Sequence, residues 1–145
     1  MMMKTDSRNR SLKAAICAAA LLYGLGATSG ALAQADTPVG LWKTIDDETK
    51  QAKSLIRISE SAGALSGRIE KILSDKPDAV CEQCSGDLKD KPVLGMVILR
   101  GLKKGEEWWE GGTILDPNNG KTYRSRLKVI EGGDKLELQI GRAHV

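Results

Sequence analysis

A chain of 145 residues can hold one domain and excludes two independent cores. It carries 22 Lys and Arg against 19 Asp and Glu, but Lys4, Arg8, Arg10, Lys13 and the single acid Asp6 fall within the first 35 residues, leaving 18 of each sign beyond them. That balance gives no electrostatic case for nucleic acid or an anionic membrane as a partner.

The first 35 residues follow the order of a secretory signal peptide. A basic head leads into an uncharged run from Ala14 to Leu25, and small residues follow through Gly30. The small-x-small rule fits Ala31-Leu32-Ala33 and Ala33-Gln34-Ala35; the second is preferred, because Asp36, Thr37 and Pro38 start a polar, extended segment. The apolar run is too short for a comfortable membrane span, so the expected state is a Sec-type leader cleaved near Ala35. The mature chain is then periplasmic or secreted, with no stable membrane insertion after cleavage.

From Val39 onward, short β-prone runs alternate with Gly, Asn, Asp and Pro. Val39 to Ile45 is followed by the turn Asp46-Asp47-Glu48-Thr49, then Leu55 to Ser59, the turn Ser61-Ala62-Gly63, and Leu65 to Leu73 with Leu65, Gly67, Ile69 and Lys71 on one face. The period is near two, as expected of half-buried antiparallel strands. Ser74 to Pro92 breaks this rhythm with two prolines, five acids and both remaining cysteines, and reads as a long connection. Val93 to Leu102, Glu107 to Leu115, Lys121 to Ile130 and Lys135 to Gln139 complete seven strands. Asp116-Pro117-Asn118-Asn119-Gly120 is a strong turn signal between two of them. Sequential hairpins without an amphipathic helix predict an all-β fold, an up-and-down antiparallel barrel.

Ile140 to Val145 back-translates to a run resembling a sequencing-library adapter, so 140–145 is expected to be a non-native tail. The domain is then 36–139, preceded by the signal-peptide helix at 1–35 and truncated at its C-terminal side. His144, the sole histidine, falls in that tail.

Candidate chemistry is sparse. Cys81-Glu82-Gln83-Cys84 has the spacing of a redox pair, but nearby acids oppose a reactive thiolate, and a zinc site would need two further ligands. A disulfide pinning the long connection in an oxidising compartment is the expected state, with redox and metal roles as alternatives. Asp116 to Gly120 is faintly like a calcium loop but lacks the length and the later Glu, so a hairpin turn is favoured. Glu106, Glu107 and Glu110 cluster beside the tryptophans, but the carboxylate separation that marks a sugar hydrolase is not readable from a sequence, and a solvated hairpin end is favoured. No general-base histidine serves a nucleophile, so no enzyme, metal or cofactor is expected. Trp42, Trp108, Trp109 and Tyr123 are candidate ligand-binding residues. Trp108 and Trp109 are adjacent, so one must face inward and the other outward.

Several blocks occur in order: Gly40-Leu41-Trp42-Lys43, Gly63-x-Leu65-x-Gly67-Arg68-Ile69, Cys81-x-x-Cys84 and Gly95-Met96-x-Ile98-Leu99. Trp109-x-Gly111-Gly112-x-Ile114-Leu115-Asp116-Pro117-x-Asn119-Gly120-Lys121-x-Tyr123 and Gly133-Asp134-Lys135-Leu136 follow. Together they resemble the bacterial exported family called domain of unknown function 2147 (DUF2147), over about Val39 to Gln139. The resemblance implies a lipocalin-like, calycin-type barrel in which Trp42 packs across the floor beside a late-strand arginine, and it brings no catalytic residues. Members continue into a Gly- and aromatic-rich last segment that this sequence lacks, so the barrel is expected to be incomplete. The resulting expectation is an exported, non-enzymatic binder of a small apolar ligand. The alternative is a periplasmic or secreted protein-interaction module using its outer surface.

Overall fold

The structure, a computed structural model, describes residues 1–5 and 37–143. Eight antiparallel strands form a closed barrel in sequence order: β1 Met2–Lys4, β2 Gly40–Ile45, β3 Ala52–Ser61, β4 Ala64–Ile72, β5 Val97–Lys104, β6 Trp109–Asp116, β7 Lys121–Ile130 and β8 Lys135–Ala143. The seven strands expected from period-two patterning are all present, and among the described residues the helical content is two short 3-10 turns at Gly86–Leu88 and Glu131–Gly133. The all-β, up-and-down, lipocalin-like expectation holds.

Three expectations meet a different arrangement. The ring is closed, because β1 fills the seam: Met2 pairs with Thr44 of β2 and with Leu136 of β8. Residues 2–4, expected within a leader, thus lie in the sheet, where they satisfy two edges that would otherwise stand open. The expected leader helix lies outside the described residues. At the other terminus β8 runs beyond Gln139, pairing Ile140 with Ser125 and Ala143 with Tyr123, so the ladder does not stop where the tail was expected to begin.

Alternation decides what fills the interior. Paired residues across neighbouring strands share a face, and Ile58, Gly67, Leu99, Ile114 and Tyr123 form one inward row through the registers of β3 to β7. Bulges correct the phase where the sequence slips. In β6, Trp109 and Ile114 both point inward although they are five positions apart, an odd offset, and the ladder to β7 shifts between Trp109 and Gly112. A Cβ on Gly112 would stand 2.4 Å from the Arg100 carbonyl oxygen, so only glycine lets β5 and β6 approach there.

The two ends of the barrel differ. Turns 62–63, 105–108 and 131–134 close one end, where Trp42, Ile58, Leu65, Leu102, Trp109, Leu127 and Leu136 form a solid core. The other end carries the connections 46–51, 73–96 and 117–120. The long one folds back on itself through a Val80–Pro92 bridge and is tied to β4 by Gly95 N–H donating to the Ile69 carbonyl.

Candidate functional site

The mouth end holds a cavity of about 900 Å³ that is open to solvent, near the top of the range for small-molecule sites. An eight-stranded barrel is just wide enough to hold one small ligand when its side chains leave room. Here they leave room in the upper half only. Ile56, Ile69, Ile98, Ile114 and Leu138 make an apolar wall, and Met2 of β1 completes it. Thr44 and Ser54 add a hydroxyl pair with their oxygens 2.8 Å apart. The rim is charged, carrying Asp46, Lys53, Asp75, Lys76 and Glu82.

Of the four aromatic candidates, the structure places Tyr123 in the cavity wall, with its hydroxyl accepting a hydrogen bond of 2.9 Å from the Asn119 amide. Trp42 and Trp109 lie below the cavity in the closed end, 1% and 8% exposed, and do not line it. The Trp42 indole N–H donates to the Pro38 carbonyl at 2.7 Å, a buried bond that fixes the strand entering the barrel floor. No arginine among those with described side chains stacks on Trp42. Trp108 faces outward: the Arg126 guanidinium lies 4.5 Å from its ring centroid, with the Lys128 ammonium at 5.8 Å. The two adjacent tryptophans therefore take opposite faces, and the four aromatics do not gather in one site.

The wall that sequence reasoning missed is aliphatic. Ile56, Ile69, Ile98 and Ile114 are ordinary strand residues, and no local signal separates an isoleucine beside a void from one against a neighbour. The other missed wall is the long connection, which contributes Ala79, Val80, Gln83 and Val93.

Cys81 and Cys84 are joined in a disulfide, and both are buried. Their loop is seated on the turn between β6 and β7. The Cys81 sulfur lies 3.2 Å from the Pro117 carbonyl oxygen, a contact and not a hydrogen bond, since a disulfide sulfur carries no proton. A Cβ on Gly120 would fall 1.9 Å from the Gln83 carbonyl oxygen. Gly120 is thus the platform that admits the disulfide loop. The turn is stiffened from within: Asp116 Oδ1 accepts from the Asn118 backbone and side-chain N–H groups, and Oδ2 accepts from Asn119. That carboxylate is committed to a hairpin turn. Of the carboxylate cluster beside the tryptophans, Glu107 pairs with Lys128 at 3.1 Å.

Two carboxyls are held below the ordinary carboxylate range. Asp46 at the rim accepts hydrogen bonds from the Thr49 backbone N–H and hydroxyl. Glu70, outside the barrel, is gripped by the Arg57 guanidinium.

Comparison with known proteins agrees with this architecture. A solved structure of a protein from the human pathogen Helicobacter pylori, described as belonging to the lipocalin family, is similar with a TM-score of 0.61 and 22% sequence identity, covering 70% of each chain. No curated protein matches significantly. Residues 40–143 match a family described as an uncharacterized protein conserved in bacteria. The chain belongs to that family, DUF2147, with a lipocalin-like barrel as its fold.

Proposed function

We propose that this protein is an exported, non-enzymatic carrier that holds one small, largely apolar molecule in the mouth half of its barrel. The observation that carries the reading is the cavity of about 900 Å³ with isoleucine and leucine walls below a charged rim. The lipocalin-like neighbour lends fold-level support. Export is supported by the leader-like order of the first 35 residues and by a disulfide, which persists in oxidising compartments. The periplasm or the medium is the proposed location. The alternative, an interaction module presenting an exposed tryptophan, has less to stand on, because Arg126 and Lys128 cover the face of Trp108.

The test narrows the cavity from its wall. Leu138 lines the cavity and is half-buried, so Leu138→Trp occupies ligand space. Titrated with a fluorescent long-chain fatty acid, the wild-type chain is expected to bind, and the variant to bind at least about tenfold more weakly, with a melting temperature within a few degrees (about 1 kcal/mol for a domain this size). Equal affinity of both, or no uptake of any apolar probe by the wild type, overturns the carrier reading.

A further inference from the structure

The long connection between β4 and β5 is bonded to itself and hardly at all to the barrel. Its two arms are zipped together: the Cys81 N–H donates to the Lys91 carbonyl, the Asp90 N–H to the Cys81 carbonyl and the Val93 N–H to the Ala79 carbonyl, at 2.8, 3.0 and 2.9 Å. The Val80–Pro92 bridge lies between them, and the Lys89 and Lys91 N–H groups close turns on Gly86 and Leu88. Lys89 also reaches the Glu82 carbonyl and the Asp90 carboxylate, and the disulfide closes a ring from Cys81 to Cys84. Bonds to the strands occur only at the ends. There the Leu73 N–H donates to Lys53, the Gly95 N–H to Ile69 and the Ile69 N–H to Met96. Among the described residues, 74–93 make no hydrogen bond or ion pair with any strand or with another turn.

What holds this body down is packing. The Gln83–Cys84 peptide rests on Gly120, the Cys81 sulfur rests on the Pro117 carbonyl, and the two cysteines are 0% and 5% exposed. A segment that keeps its internal bonds when it lifts gives up only that packed contact. Each barrel strand, by contrast, shares a ladder with a neighbour on both sides. Such a segment opens at a lower free energy than the barrel unfolds. The same segment presents Ala79, Val80, Gln83 and Val93 to the cavity, so lifting it widens the mouth.

We propose that residues 74–93 form one stiff flap that lifts off the 117–120 turn while the barrel stays folded, admitting and releasing what the cavity holds. The hinges are its two ends, bonded to Lys53 and Ile69. The disulfide gives the flap a fixed underside, so that it returns to Gly120 as the same body each time. Because the Cys81 sulfur lies against Pro117 and Cys84 beside Gly120, both cysteines sit in the seam that parts. Lifting exposes the sulfurs, and seating hides them. The role in admission rests on the carrier reading; the motion itself does not.

The experiment is reduction of the Cys81–Cys84 bond in the folded full chain by dithiothreitol, at urea concentrations below the unfolding transition. The thiols released at these two positions are located by alkylation and peptide mass spectrometry, and circular dichroism shows that the strands persist. Lifting the flap exposes little surface, so the wild-type rate is expected to rise with urea less than about half as steeply as the global unfolding constant. Gly120→Ala unseats the flap and is expected to speed reduction by about tenfold or more, whereas Gly63→Ala, at the closed end, changes it by less than about twofold. A saturating fluorescent long-chain fatty acid is expected to slow reduction of the wild type, since it packs against the seated flap. A rate that follows global unfolding in urea overturns the proposal, as does equal acceleration by the two glycine variants. Fatty acid that binds without slowing reduction overturns the flap's part in admission. The urea series is read on the wild type without ligand, so it decides the motion whether or not the variants fold or any apolar probe binds.

Discussion

Gly120 has a backbone φ of 67°, a region that glycine enters freely and other residues enter at a cost of about 1–2 kcal/mol. Its second constraint is larger: the Gln83–Cys84 peptide occupies the space where a side chain would begin. Gly63, in the hairpin between β3 and β4, separates the two effects, because its φ is 74° but nothing lies within 4 Å of a Cβ there. Gly63→Ala is therefore expected to lose only the conformational term, about 1–2 kcal/mol by urea unfolding. Gly120→Ala should lose more than twice as much, and trypsin should cut the connection after Lys89 faster than in the wild type. If the two variants unfold alike, the disulfide loop is not seated on that glycine. The sequence made Gly120 legible as a turn residue but not as a platform, since its neighbour lies 36 positions away and only folding brings the two together. The same holds for Trp42 and Trp109: alternation put one of the adjacent tryptophans inside without saying which, and the place of both below the void and not beside it depends on how far each strand runs before the cavity opens.

At the level of elements, the hairpins were read well because their signals are local. Asp46 illustrates this: its carboxylate caps its own turn through Thr49 and Glu48, a pattern visible in Asp-Asp-Glu-Thr before any fold is known. What local patterning missed were the bulges. Strict alternation put Lys71 on the inward face with Ile69, but the register slips between Leu55 and Ile56, leaving Lys71 exposed and Ile72 half-buried. The turn and the β3–β4 ion pair carry a pH dependence whose sign follows from the depressed carboxyls. Asp46 and Glu70 both bind protons less readily in the folded chain, so the unfolded chain takes up more as pH falls. Their contribution is complete above the ordinary carboxylate range, about pH 4, and is lost as pH drops through the lowered values. The urea midpoint is expected to stay flat from pH 7 to about pH 5 and to fall below about pH 4. Asp46→Asn with Glu70→Gln should lower the neutral midpoint and flatten the acid limb. An unchanged acid limb in that double variant would locate the acid sensitivity elsewhere.

For the molecule as a whole, the least local feature is the one that closes it. Seven strands between residues 40 and 143 leave β2 and β8 as the two edges of a curled sheet, and their union through Met2–Lys4 joins positions more than 30 residues from the nearest part of the domain. No periodicity in three residues could announce this, and composition argued for a leader over the same stretch. The contribution of β1 can be weighed. Met2 is 3% exposed and lines the cavity, and a fully buried methionine side chain is worth about 1.5–3 kcal/mol. Three further backbone bonds, from Ile45 N–H to Met1, from Lys4 N–H to Asp134 and from Thr5 N–H to Leu41, add about 1 kcal/mol each at most. A chain beginning at Asp36 is therefore expected to be less stable than the full chain by about 2–6 kcal/mol. It would also expose two unpaired strand edges, which favour edge-to-edge pairing of two copies. Urea unfolding and sedimentation velocity on the two chains measure both effects. A shorter chain that is equally stable and monomeric would show that β2 and β8 close the barrel by pairing directly, and that the first strand adds a lining residue to the cavity without holding the ring together.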